Sequence, residues 1–260
     1  MPDLMPLLFV GHGSPMNVIQ QNEFTESLRQ AGASLPKPRC ILCVSAHWVT
    51  DGTFVTGAAR PKQIYDFYGF PDELYEVTYR ASGSPQDAER IARLGKNIPV
   101  SPNNGWGIDH GTWAVLRHLY PQADNPVIQL SLDNNKAEAE HYKLASFLQP
   151  LRSEGVLIIG SGNIVHNLRL ISWQQFGEEP FPWARKFDEQ VAAALGEGDD
   201  DLLIRYDSKD REIGAYSVPT NEHYLPLLYI AALRGNAETV EYIHEGFQHR
   251  SVSMRSFVVR

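Results

Sequence analysis

The sequence predicts an α/β fold, and three observations carry that expectation. Short apolar runs alternate with amphipathic stretches, as when strands feed helices in a layered domain. Proline, glycine and capping residues punctuate the boundaries between them. The segment from Val240 to Arg260 instead carries two runs that alternate in polarity with a period of two, as strands do.

Taken in order, Leu7-Leu8-Phe9-Val10 reads as a buried first strand. Cys40 to Ser45 is a second, with Pro36 and Pro38 ahead of it, Pro126 to Leu132 a third and Val156 to Ile159 a fourth. Ser84-Pro85-Gln86-Asp87 supplies a cap and a first-turn proline for a helix from Ala88 to Leu94. Ala114 to Leu119, Lys136 to Leu148 and Trp183 to Leu195 also carry helical periodicity. Val240 to Glu245 and Ser251 to Val258, with Gly246 between them, predict a C-terminal antiparallel strand pair. No repeat, low-complexity tract or linker divides the chain, so one domain over residues 1–260 is expected.

Composition narrows the function. With 260 residues, 43% hydrophobic and 21% charged, disordered, collagenous and disulfide-scaffold classes are excluded. A net charge of −8 without a Lys/Arg cluster argues against nucleic acid, whose backbone needs a basic footprint. Leu7 to Val10 is too short for a signal peptide and no run suits a membrane span, so a soluble cytoplasmic protein is expected. In a strand, Cys40 and Cys43 would point to opposite faces, so they would neither pair nor easily share a metal.

The histidines point to chemistry. The first strand runs into Gly11-His12-Gly13-Ser14-Pro15 and the second into Ser45-Ala46-His47-Trp48, the strand ends at which open α/β sheets bind ligands. His110 lies in the glycine-flanked Gly107-Ile108-Asp109-His110-Gly111-Thr112-Trp113 segment, with Asp109 either orienting its ring or capping the helix. His166 follows the fourth strand through Gly160-Ser161-Gly162-Asn163-Ile164-Val165, and His223 sits in Thr220-Asn221-Glu222-His223-Tyr224 near a helix start. Five histidines at such positions suit a metal site, imidazole being the commonest ligand, whereas His118, His141, His244 and His249 read as packing or surface residues. Were the Glu222–His223 segment helical, its two side chains would diverge by about 100°, one serving as ligand and the other behind it or in solvent. Gly160-Ser161-Gly162 fits neither a nucleophile elbow nor a dinucleotide fingerprint, and Glu197 with Asp199, Asp200 and Asp201 reads as a solvated helix end.

In this order, the motifs around His12, His47, His110, His166 and Glu222-His223 resemble the DOPA-type branch of the class III extradiol ring-cleavage dioxygenases. The wider superfamily includes the protocatechuate 4,5-dioxygenase beta subunit. The resemblance runs from residue 11 to about 230. It implies a three-layer αβα fold with a central, mostly parallel or mixed sheet, and one divalent metal that opens a catechol ring with O2, giving a semialdehyde by 4,5-cleavage. Carried over residue by residue, it implies His12, His47 and His223 as metal ligands. It implies His166 as an active-site histidine able to act as a fourth ligand without substrate, and His110 as the acid–base group. The wider superfamily uses two histidines and a carboxylate, which suit Fe2+, whereas an all-histidine set also suits Zn2+. Neutral ligands leave an ion more positive, favouring deprotonation of bound catechol hydroxyls, while a nearby histidine handles the second proton. Trp48, Tyr68, Trp106, Trp113 and Tyr216 are candidates for an aromatic wall, with core packing the commoner role. A zinc-dependent hydrolase on the same histidines, a metal-inserting chelatase and a metal-storage protein are the alternatives. The expected partners are small molecules, a catechol and O2, with no nucleic acid and no membrane.

Overall fold

The computed structural model describes residues 4–95, 98–172 and 179–260. Met1 to Asp3, part of the reading of the N-terminus, lie outside the described residues. All four apolar runs form strands. In chain order come β1 (Leu7–Gly11), α1 (Glu23–Ser34), β2 (Cys40–Thr50), β3 (Thr53–Thr56), α2 (Asp72–Glu76) and α3 (Pro85–Leu94). Next are β4 (Val100–Asn103), α4 (His110–Leu119), β5 (Val127–Asp133), α5 (Glu138–Ala145), α6 (Gln149–Ser153) and β6 (Val156–Gly162). Then follow α7 (Pro182–Glu197), α8 (Asp200–Ile204), α9 (Arg211–Ser217), α10 (Leu225–Leu233), β7 (Val240–His244), β8 (Phe247–Gln248), β9 (Val252–Ser253) and β10 (Ser256–Val259).

Among the described residues, eight strands form one mixed sheet in the order β4-β3-β5-β2-β6-β1-β10-β7. Its centre, β5-β2-β6-β1, is parallel, and β10 and β7 extend it antiparallel beyond β1. Side-chain alternation divides the core into two layers. Leu7, Phe9, Cys40 and Leu42 pack with residues of α3, α5, α7 and α10, whereas Leu8, Val10, Ile41 and Cys43 pack with α1 and α4. The sheet is thus covered on both faces, and the two free cysteines lie on opposite sides of it. Among the described residues, no helix is long and apolar enough to cross a membrane.

Four departures from the sequence reading matter. The second strand continues past Ser45 to Thr50, with a register shift against β5 between Val44 and Val49. His47 therefore sits in the irregular part of a strand rather than beyond its end, a bulge that re-aims the side chain. The Lys136–Leu148 helix divides into α5 and a 3-10 turn at Ser146–Leu148. The Ser251–Val258 run also divides: β9 pairs with β8, while β10 pairs with both β7 and β1. Finally, α10 begins at Leu225, so Glu222 and His223 occupy the turn before it and the helical separation does not apply.

Candidate metal centre

Strands β2, β6 and β1 are adjacent and parallel, so their C-terminal ends share one edge, with Gly11 opposite Gly162 and Ser45 opposite Ser161. The His12 amide donates to Gly162 O at 3.1 Å, which fixes the chain leaving β1. Gly162 has a second task. A Cβ there would stand 2.1 Å from the His223 carbonyl oxygen, which accepts from Asn163 N at 2.8 Å. The turn carrying His223 therefore rests on the end of β6. Gly111, in the first turn of α4, similarly clears space for His47, whose Cδ2 would lie 2.9 Å from an added Cβ.

These constraints gather His12, His47, His110, His166 and His223 around one cavity of about 530 Å³. His12 and His47 face each other with Nε2 atoms 3.1 Å apart. Two nitrogens about 2.1 Å from a common ion lie roughly 3.0–3.4 Å apart, so this spacing fits two ligands of one metal. His12, His47 and His110 offer ring nitrogens within 4.8 Å of one another, and His166 and His223 offer ring nitrogens equally close to each other and to a carboxylate oxygen of Glu222. The His223 ring is 5.4 Å from that of His12 and 5.1 Å from that of His47, while His166 stacks on it at 3.5 Å.

The Nδ1 atoms explain which nitrogen faces inward. Ser161 Oγ donates to Gly111 O and so accepts from His12 Nδ1 at 3.0 Å. His223 Nδ1 lies 3.1 Å from Glu222 Oε1, and His47 Nδ1 lies 3.1 Å from Asp66 Oδ2. For His12 and His223 a hydrogen-bond acceptor behind Nδ1 fixes the tautomer with the lone pair on Nε2, the arrangement of metal-ligating histidines. For His47 the Asp66 oxygen is at ion-pair distance without hydrogen-bond geometry. Burial, then repulsion from neighbouring imidazoles, holds His12 and His223 well below the ordinary imidazole range. Burial takes His166 down to about 4 and, with the His47 charge, also lowers His110. For His47, burial opposes the charge but the Asp66 and Asp109 carboxylates outweigh it and move the group up. Neutral imidazoles converging with their lone pairs repel one another unless a cation lies between them, so the donor set fits a divalent metal.

The rest of the cavity suits a flat apolar ring. Phe67, Phe70, Ile171, Leu168, Val252 and Pro15 line it, and Phe67 meets His110 edge-on at 5.4 Å. Among the described residues, no lysine or arginine lines it. Of the five aromatic candidates only Tyr68 reaches the cavity, 92% exposed at its mouth. Trp48 stacks on Trp106, Trp113 is wholly buried in the core, and Tyr216 packs near Trp183. His118, His141 and His244 are packing residues as expected, whereas His249 also lines the cavity. Asp199 caps α8 and Asp200 holds Arg234, as a helix end would.

The sequence reading missed Asp66. One of its oxygens accepts from His110 N at 2.9 Å, and the other lies 3.1 Å from His47 Nδ1 and 3.0 Å from His110 Nδ1. Burial would raise this carboxyl, but the two imidazoles outweigh it and hold it far below the usual carboxylate range. Of the two roles open to Asp109, capping is the one observed. It accepts from Thr112 N at 3.1 Å, Ser45 Oγ at 2.8 Å and Gln129 Nε2 at 2.6 Å, away from the His110 ring nitrogens. The only sequence signal for Asp66 is its place among aromatics, Tyr65-Asp66-Phe67-Tyr68, and that pattern names no role.

Comparison with known proteins identifies the family. The family described as the catalytic LigB subunit of aromatic ring-opening dioxygenase matches residues 6–260. A 4,5-DOPA dioxygenase extradiol of Escherichia coli K12 is 46% identical over 256 residues, 97% of this chain and 93% of that protein. One from Beta vulgaris is 37% identical over 256 residues, covering 96% and 94%. A crystal structure of an uncharacterized Escherichia coli K12 protein superposes with a TM-score of 0.84 at 42% identity, covering 98% of this chain and 99% of that one. The chain therefore belongs to the LigB family of aromatic ring-opening dioxygenases and is an extradiol ring-cleaving enzyme.

Proposed function

We propose that this enzyme opens DOPA-like catechols by 4,5-cleavage, with His12, His47 and His223 holding one divalent metal, Fe2+ for the ring-opening reaction. The observation that carries the reading is the pair of Nε2 atoms 3.1 Å apart at the floor of an aromatic-walled cavity. Glu222 Oε1 contacts His223 Nδ1 and accepts from Thr220 Oγ1 at 2.9 Å, which supports the histidine as ligand and the carboxylate as its support. That all-histidine set leaves Zn2+ as the competing ion.

When bound, the metal supplies Lewis acidity toward the catechol oxygens and a position for O2. The chain does the rest. Phe67 and Phe70, set edge to face at 5.5 Å, form one wall against which the ring is oriented, and they exclude water from that side of it. His110, whose burial lowers its titration and so favours the neutral ring, accepts a hydroxyl proton at its ring nitrogen and returns one later. His166, stacked on His223, is a fourth ligand without substrate and a second proton carrier with it. Family membership favours ring opening over the hydrolase, chelatase and storage alternatives.

The test is to load the protein anaerobically with ferrous iron, add a panel of catechols including DOPA, and admit air. Oxygen uptake with a yellow ring-opened product is expected, and His12→Ala or His47→Ala should abolish metal retention on dialysis. A silent panel, or full metal binding by the double variant, overturns the reading.

A further inference from the structure

We propose that Asp66 is a positioning residue that serves the metal-binding His47 and the acid–base His110 at once; this rests on the roles just proposed for those histidines. The carboxylate is divided between them. Oδ1 accepts from the His110 backbone amide at 2.9 Å, and Oδ2 stands 3.1 Å from His47 Nδ1 and 3.0 Å from His110 Nδ1. One oxygen thus stands at ion-pair distance from two ring nitrogens, and neither Oδ2 nor His110 Nδ1, both buried, has a hydrogen bond of standard geometry; the other nitrogen of the His47 ring faces His12 Nε2. The two rings are themselves 4.1 Å apart, centre to centre.

The loop that delivers Asp66 is tied to the segment that delivers His110. Ile64 N donates to Ile108 O and Ile108 N to Lys62 O, both at 2.8 Å, and Trp113 Nε1 donates to Ile64 O at 2.8 Å. Gly107 lets this pairing close, since a Cβ there would be 1.9 Å from Lys62 O. Asp66 is therefore held rigidly relative to His110, as a supporting group must be to fix a ring within a few tenths of an ångström. The charge and the acceptor character both matter. An amide at this position could still accept from His110 N, but would turn an NH2 toward two Nδ1–H groups. Either the rings rotate or a tautomer switches, and both take an Nε2 lone pair off its direction.

A double-mutant cycle of Asp66→Asn and His110→Ala separates this from a merely structural role. Ferrous-iron affinity is measured anaerobically by competition with a chelator, and kcat and KM are measured on a catechol at saturating iron. Asp66→Asn should weaken iron binding about 10–100-fold, by the same factor with or without His110. It should lower kcat roughly 10-fold or more when His110 is present and less than about twofold in the His110→Ala background. Unchanged iron affinity in Asp66→Asn, or an equal fall in kcat in both backgrounds, overturns the proposal. If wild type binds iron but takes up no oxygen with any catechol, the ring-opening reading fails, while the iron arm still decides whether Asp66 holds His47. Should Asp66→Asn fail to fold, Asp66→Ser keeps an acceptor for the His110 amide and is read by the same two measurements.

Discussion

Replacing Gly162 by alanine should damage the metal centre without replacing any of the proposed metal ligands. The added Cβ would lie 2.1 Å from the His223 carbonyl oxygen, a backbone atom that no rotamer change removes. Ordinary contact at a Cβ begins near 3.4 Å, so more than 1 Å of separation must be found. The strand cannot supply it: β6 is buried throughout its length and paired on both sides, to β1 and to β2. The turn carrying His223 is the softer element, although Asn163 N holds the same carbonyl at 2.8 Å and Pro226 Cγ crowds the Cβ at 3.2 Å. The displacement therefore goes into His223. Overpacking of this kind costs about 1–3 kcal/mol of stability, and a shift near 1 Å at a ligand should weaken metal binding at least roughly 100-fold. Gly196→Ala is the control, because its Cβ meets nothing within 4 Å in helix α7 and should stabilise the protein by up to about 1 kcal/mol. Metal content after dialysis and thermal unfolding of both variants are the assays. A Gly162→Ala protein that retains a full equivalent of metal refutes the argument that the strand end sets the position of His223.

Three further outcomes are expected. His110→Ala should keep near-normal metal content while losing turnover by roughly 10²–10⁴-fold; metal loss would mean that the close His12–His47–His110 grouping, not the one with His223, forms the ligand set. Glu238→Ala should destabilise the fold by about 3 kcal/mol, read by chemical denaturation, because it leaves the wholly buried Arg152 guanidinium with only Met5 O and Leu233 O as partners; a change under about 1 kcal/mol would show that the pair is dispensable. His141 is buried between Tyr229 OH at 3.0 Å and Asp133 O at 3.1 Å, and burial depresses its titration, so as pH falls below about 6.5 the unfolded chain takes up the proton first and stability is lost. His141→Asn should therefore remove up to about 1.4 kcal/mol of the stability difference between pH 7.5 and 5.5, and an unchanged pH slope would contradict this.

Much of the architecture was legible because it is written in short-range patterns. Leu7 to Val10 and Val156 to Ile159 could be read as buried strands from composition alone, and the Ser84-Pro85 signal marked the start of α3. The period of a strand placed Cys40 and Cys43 on opposite faces before any contact was known. The contexts of His12, His47, His110, His166 and His223 likewise marked the residues that now line one cavity. Local sequence did not disclose β3 and β4, which are four residues each, nor that the Ser251–Val258 run would divide between two sheets.

What tertiary structure alone decided is which carboxylate stands behind which imidazole. Asp109, the sequence neighbour of His110, spends its oxygens on Thr112, Ser45 and Gln129, while Asp66, 44 residues away, accepts from the His110 amide and stands 3.0 Å from its ring Nδ1. Glu222 can support His223 only because the chain turns there instead of entering a helix. The walls of the cavity come from Phe67 and Phe70 on the same aperiodic loop as Asp66, where neither helical nor strand spacing gives a face to read. Period and capping report the backbone within a few residues, whereas a 3 Å approach between side chains depends on sheet register and loop anchoring, which emerge only when the whole chain packs.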